Sequence, residues 1–197
     1  QYLDSEECIM DLGKKRFSKV LISTAMGPGG DGIFPYTLWP SYRRLMRVVK
    51  ETGTIVMAKS ATRYNRQGNF IPRNPLTWRY IRRISGQGML NAYGLTNRGV
   101  GVCASEIEES CRAGIRVIPN YYPEFVKGTE TAIRETLEAI KIYQKIIGTE
   151  FWALELNFSC PNAKEAIAEN VNQGIACVRR VRRDFPELFL IAKISVV

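Results

Sequence analysis

The feature that most constrains this chain is an alternation. Short apolar runs recur along it, and nearly every gap between them holds a segment of helical periodicity. The runs are Val20 to Thr24, Thr54 to Ala58, Arg116 to Pro119, Phe151 to Leu156 and Leu188 to Ile194. Four segments carry the helical pattern. Leu38 to Glu51 places Leu38, Tyr42, Leu45, Met46 and Val49 on one face, and Thr52-Gly53 closes it. Ser105 to Ala113 ends at Gly114. Thr129 to Ile147 aligns Ile133, Leu137, Ile140 and Ile147, with Gly148 as its stop. Ile167 to Arg183 carries Val171, Ile175, Val178 and Val181. A polar stretch from Ser60 to Gly88, rich in Arg, Asn, Pro and Gly, reads as a long loop.

Strands alternating with helices predict a parallel sheet covered by helices, wound in one sense. Two architectures satisfy that pattern equally: an eight-stranded barrel and an open doubly wound sheet. The open sheet usually carries a glycine-rich turn after its first strand. AMGPGGDG stands there, from Ala25 to Gly32, but its glycines do not fit G-x-G-x-x-G.

What stands at the strand ends narrows the function. The first run ends at Thr24-Ala25-Met26-Gly27, the second at Lys59, the third at Asn120, the fourth at Asn157 and the fifth at Lys193. A single lysine there would be read as emerging into solvent, since Lys is almost never buried alone. Five ends turning small or polar at one edge predict the floor of a ligand site, and in barrels active sites sit at that edge.

Bulk composition removes several classes. The 197 residues suffice for one domain with a real core, and 45% apolar and 24% charged residues are globular values. No apolar run reaches the roughly 20 residues of a membrane-spanning helix. The amino terminus, QYLDSEEC, has no basic flank leading into an apolar core, so no secretory signal is visible. The absence of a starting Met is that of a fragment or a processed chain. Five cysteines, none at C-x-x-C spacing, argue against a zinc site or a disulfide framework and fit a reducing cytoplasm. There is no histidine, which removes His-based metal sites and Ser-His or Cys-His pairs, and no metal is expected. The formal charge of +9 raises nucleic acid as a partner. The basic clusters (Arg43, Arg44, Arg47; Arg79, Arg82, Arg83; Arg179, Arg180, Arg182, Arg183) read instead as solvated faces. No repeating aromatic platform accompanies them.

The most informative motif is NFSCPN, Asn157 to Asn162, directly after the run ALEL. It combines a thiol, a hydroxyl and two carboxamides in a turn stiffened by Pro161. Carboxamides can hold a ring of imides and carboxylate through paired donors and acceptors. A thiolate can act as a base, although a free thiol ionises only near pH 8.5 without a positive neighbourhood.

NFSCPN after a strand resembles the signature loop of dihydroorotate dehydrogenases. Three further segments resemble that family in order and spacing: AKSATRYNRQGNFIPR (Ala58 to Arg73), GMLNAYGLTNRGV (Gly88 to Val100) and IAKIS (Ile191 to Ser195). The resemblance runs from about Val20 to the end of the chain. It implies an α/β fold, a parallel (β/α)8 TIM-type barrel truncated after about five strands. Residues 20–197 would form this partial FMN-binding domain, and residues 1–19 an N-terminal extension.

The resemblance also implies the function, oxidation of dihydroorotate to orotate in de novo pyrimidine biosynthesis with FMN as cofactor. Cys160 would be the catalytic base taking the C5 proton while hydride leaves C6 for flavin N5. Lys59, Asn91, Gly94, Leu95, Asn157 and Asn162 would bind substrate. Ala25, Gly27, Lys59, Ser60, Asn120, Asn157 and Lys193 would contact the flavin. The cysteine points to the soluble branch, because the quinone-using branch carries Ser there. GMLNAYGL resembles the NAD-linked type, which implies a separate iron–sulfur flavoprotein electron-transfer subunit; a homodimer is a further partner it admits. The expected location is the cytoplasm, with neither nucleic acid nor membrane as partner.

Three departures from the family pattern stand out. RVIPNYYPEF, Arg116 to Phe125, lacks a small glycine-containing turn. Tyr93 stands where Met or Ile is commoner, and the loop after Asn162 is unusual. A dihydropyrimidine dehydrogenase-like flavin enzyme therefore stays open, as does a basic nucleic-acid-binding module from a different class. A full barrel of this kind takes about 250 residues, and phosphate sites in such barrels use the loops after the seventh and eighth strands. The expectation is that these 197 residues alone bind FMN poorly and leave an open sheet edge.

Overall fold

A computed structural model describes residues 9–12, 15–18, 20–23, 26–32, 36–71, 74–86, 88–159 and 167–194. Among the described residues, ten strands and four α-helices follow one another. An antiparallel pair, β1 (Ile9–Leu12) and β2 (Lys15–Ser18), comes first. Then come β3 (Leu21–Ile22), α1 (Pro40–Thr52) and β4 (Ile55–Met57). A second antiparallel hairpin is made by β5 (Ile81–Ile84) and β6 (Gly88–Asn91). The chain continues as α2 (Val100–Arg112), β7 (Arg116–Ile118), β8 (Asn120–Tyr121), α3 (Thr129–Ile147), β9 (Ala153–Asn157), α4 (Ile167–Asp184) and β10 (Phe189–Lys193).

Two parallel sheets, β3-β4-β7 and β8-β9-β10, hold the structure together. Only Pro119 separates β7 from β8. Its carbonyl accepts from Glu155 N at 2.9 Å, on the β9 side, while Ile118 O accepts from Ala58 N at 2.9 Å, on the β4 side. The third apolar run is thus one strand that changes neighbours at a residue with no N–H to give. The parallel strands follow in chain order, β3, β4, β7/β8, β9, β10, with no reversal. A doubly wound sheet needs such a reversal at its switch point, so the described strands do not have that arrangement.

Sequential order with right-handed crossovers puts every helix on one face. The core divides accordingly. One cluster joins Val56, Ala58, Val117, Leu154 and Leu156 of the strands to Val49 of α1, Ile107 of α2, Ile140 of α3 and Val181 of α4. The opposite face carries a smaller cluster, Ile55, Met57, Ile118 and Ala153, with Trp152, Phe189 and Ile191 against it. Period-two alternation along each strand separates the two sets.

The structure corrects several expectations. The loop from Ser60 to Gly88 contains β5 and a 3₁₀ segment, Pro75–Tyr80. The Arg79, Arg82, Arg83 cluster therefore sits on that segment and on β5. Helix α2 starts five residues before Ser105, at Val100. Gly and Val in its first turn are poor helix formers, and the turn is fixed by burial of Val100, Cys103, Ala104 and Ile107. Leu38 lies in a 3₁₀ turn ahead of α1 and is exposed, and so is Leu45; only Val49 of that face is fully buried. On α4, Val181 is buried while Val171 and Ile175 are exposed. Among the described residues, no helix is long and apolar enough to cross a membrane.

Candidate functional site

The helix-free face changes character along the strands. It begins with Ile55, Met57, Ile118 and Ala153, and the same alternation then brings Lys59, Asn120, Glu155, Asn157 and Lys193 to that face at the strands' carboxyl ends. Register makes neighbours of them: Asn120 lies opposite Glu155, and Asn157 opposite Lys193. The Asn120 amide donates to the Glu155 carboxylate. Asn157 Nδ2 donates to Ser60 Oγ at 2.9 Å, and Asn157 Oδ1 accepts from Ser159 N at 3.1 Å and Ser159 Oγ at 3.0 Å. Phe158 N donates to Lys193 O at 2.9 Å. Four strand ends are thereby tied into one polar floor.

Gly27 enters the same edge through its carbonyl, which accepts from Lys59 N at 3.0 Å. Its φ of 81° is the left-handed region that favours glycine. Lys59 leaves the floor for the wall opposite. Its Nζ donates to Thr96 O at 2.6 Å and lies 3.4 Å from the centroid of the Tyr93 ring. Gly94 and Leu95 stand between these two contacts.

That wall is held tightly. Gly68 N donates to Thr96 Oγ1 at 3.1 Å, and Asn69 N donates to Tyr93 O at 3.1 Å. A Cβ on Gly68 would collide with the Gly94 carbonyl, and one on Gly94 would come within 2.7 Å of Asn69 N. Leu95 has φ 59°, the one positive φ of a non-glycine among the described residues. Such strain persists where surroundings over-determine it, often at ligand sites. Here the buried Asn97 does so: its Nδ2 donates to Leu95 O at 2.7 Å, while its Oδ1 accepts from Gly99 N at 2.9 Å and Thr62 N at 3.2 Å.

Burial shapes the electrostatics. Desolvation pulls the Lys59 ammonium down to about 8, opposed by its attraction to Cys103. Burial raises the Glu155 carboxyl, opposed by the charge of Lys193 and the Asn120 hydrogen bond. Lys59 sets a testable pH dependence. Below pH 8 it is charged in both folded and unfolded states. Between about 8 and its ordinary 10.5 the folded protein gives up the proton first, so the unfolded state binds more protons and stability rises with pH. Cys103 and Cys177, pushed by burial to about 11, act in the opposite sense above their ordinary value of 9.0. The comparison with Lys59→Met isolates the lysine. The urea midpoint of the parent should gain on that of the variant between about pH 7.5 and pH 9.5; parallel midpoints would contradict the assignment.

The structure therefore brings together Gly27, Lys59, Ser60, Gly94, Leu95, Asn120, Asn157 and Lys193. Asn91 is exposed at the end of β6, opposite Ile81 in the hairpin, rather than on the floor. Ala25, Cys160 and Asn162 lie outside the described residues. Sequence reasoning passed over Glu155, although its place two residues before Asn157 in a strand of period two puts it on the same face. It also passed over Thr96 and Asn97, whose roles come from contacts distant in sequence.

A family model described as dihydroorotate dehydrogenase matches residues 44–194. The chain belongs to the dihydroorotate dehydrogenase family. Its relatives include proteins named dihydroorotate dehydrogenase B (NAD(+)), catalytic subunit. The one from Thermotoga maritima is 29% identical over 144 residues, covering 72% of this chain and 46% of the relative. Another, from Porphyromonas gingivalis, is 29% identical over 193 residues, covering 94% and 53%. That from Parabacteroides distasonis is 32% identical over 178 residues, covering 88% and 50%. The chain spans about half the length of the curated relatives it matches. Family membership places the four motifs read from the sequence in one lineage, and the matched segment contains the described floor and wall apart from Gly27.

Proposed function

We propose that this chain is the first part of a flavin-dependent dihydroorotate dehydrogenase, built on a (β/α)8 barrel whose later strands lie outside these residues. The convergence of Lys59, Asn120, Asn157 and Lys193 on one edge is the observation that carries the reading. Three features support the barrel: the unreversed strand order, the helices on a single face, and apolar residues exposed at both ends of that order. Leu21 of β3 and Leu45 and Val48 of α1 are exposed at one end, and Val171 and Ile175 of α4 and Ile194 at the other. In a closed barrel the remaining strands and helices would cover both ends.

The residues present suit FMN. Asn120 Oδ1 is buried with no hydrogen-bond partner among the described residues, which leaves an acceptor for an imide N–H. Gly27 would let the ring approach the backbone, and Ser60 and Asn157 would reach its polar edge. Lys59 and Lys193 would stand where negative charge gathers on reduction, an electrostatic role. Bound there, FMN would supply the acceptor for two electrons. Lys59 and Asn157 would also hold the substrate's carboxylate and imide, with Gly94, Leu95, Asn91 and Asn162 completing its enclosure. Cys160 would remove the C5 proton. The anchored Phe158 and Ser159 present the chain that leads to it.

The relatives' name, catalytic subunit of an NAD(+) enzyme, supports a separate electron-transfer partner. We take it to be an iron–sulfur flavoprotein. Anaerobic addition of dihydroorotate to the full-length protein should bleach bound flavin stoichiometrically. A protein that stays yellow with dihydroorotate but bleaches with uracil-type dihydropyrimidines would be a dihydropyrimidine dehydrogenase-like enzyme instead.

A further inference from the structure

We propose that Tyr93 is a positioning residue for Lys59, its ring face, backed by Phe70, holding the ammonium at the rim of the site. The placement of Lys59 beside flavin and substrate rests on the function proposed above; the contact with Tyr93 does not.

Four observations lead here. Lys59 Nζ lies 3.4 Å from the Tyr93 centroid, well inside the roughly 6 Å over which a ring face attracts a cation. Its hydrogen bond of 2.6 Å goes to Thr96 O, three residues beyond that ring. One short segment thus supplies both contacts. Tyr93 is itself fixed, with its ring 4.9 Å from that of Phe70 and its carbonyl accepting from Asn69 N and Phe70 N at 3.1 and 3.2 Å. Finally, Lys59 is half-buried, so few waters remain to solvate its charge. In those surroundings a ring face is worth more than at an exposed site.

A flexible four-carbon stem otherwise samples many rotamers. The ring and the carbonyl restrict it from two sides, so the charge is already placed before a ligand arrives, and the ordering cost is not borne at binding. An aliphatic residue at position 93 would fill space without attracting the ammonium. The choice of Tyr therefore bears on how Lys59 is held, beyond the packing of the loop.

The test is competitive acylation of lysines in the ligand-free full-length protein, with Lys59 read by mass spectrometry. It needs no substrate, so its failure is separable from failure of the dehydrogenase reading, which flavin bleaching tests. In the parent protein the ring covers the amine and favours its charged form, and both effects suppress acylation. Tyr93→Leu should raise Lys59 labelling about fivefold relative to the other lysines. Tyr93→Phe keeps the ring face and should restore the parent level, an outcome that loop packing by the hydroxyl would not produce. Phe70→Leu keeps Tyr93 but removes its support; it should shift labelling in the same direction by less, and it carries the test if Tyr93→Leu fails to fold. Unchanged labelling in Tyr93→Leu and Phe70→Leu, or an equal rise in Tyr93→Phe, would overturn the proposal.

Discussion

Replacing Cys160 with Ala in the full-length protein is expected to slow flavin reduction by dihydroorotate about 10²- to 10⁴-fold, the usual contribution of a positioned general base. FMN should stay bound, because Lys59, Ser60, Asn120 and Lys193, proposed to hold it, belong to other strand ends, and Asn157 keeps its own hydrogen bond to Ser60. The reason lies in the bond to be broken. A proton on carbon leaves slowly unless a base is held within reach as the electrons depart. This chain has no histidine to serve, and among the groups of NFSCPN the thiol is the one side chain that can ionise to a base. The floor holds Asn157 and Ser159, which precede the thiol in the motif, through three hydrogen bonds. Stopped-flow absorbance at the flavin band is the measurement. An alanine variant that bleaches at the parent rate would remove Cys160 from the chemistry while leaving flavin binding untouched.

Asn97→Ala is expected to lower stability by about 3 kcal/mol and to loosen the wall of the site. The side chain is almost fully buried, and its removal strands three backbone groups: Thr62 N, Gly99 N and Leu95 O. Each buried group left without a partner costs about 1–3 kcal/mol. The damage falls in a particular place. Leu95 occupies left-handed backbone space that a leucine does not choose, and Asn97 is what restrains its carbonyl. Freed, Leu95 can relax, and Thr96, whose carbonyl accepts the hydrogen bond from Lys59, moves with it. Urea denaturation reports the global loss. Amide exchange over residues 93–99 reports the local one and should accelerate there more than in α3. An unchanged midpoint would mean that water replaces all three contacts, and the proposed restraint on Leu95 would fail with it.

Much of this was legible in the residues alone, and the reason is physical. Period-two and 3.6-residue patterns are local, and so is the sign of a strand end. Hence Thr129 to Ile147 was read at the bounds that the structure has. Lys59, Asn120, Asn157 and Lys193 could be assigned to one edge before any coordinates, because parallel strands all point the same way. Membership of the family followed from motifs carried by those same ends.

Other features depended on contacts that no local pattern encodes. The helical start at Val100 goes against propensity and rests on the burial of four side chains. The Ser60 to Gly88 stretch lacks apolar periodicity, yet its hairpin forms by pairing β5 with β6. Setting aside the doubly wound arrangement needed strand order, since a barrel and a doubly wound sheet give the same alternation along the chain. The direction in which Lys59 points was likewise undetermined. Sequence brings it to the edge, but a ring and a carbonyl more than thirty residues away decide where its charge rests. Chemistry-bearing residue types are written locally, whereas their orientation and ionisation are set by what the fold packs around them.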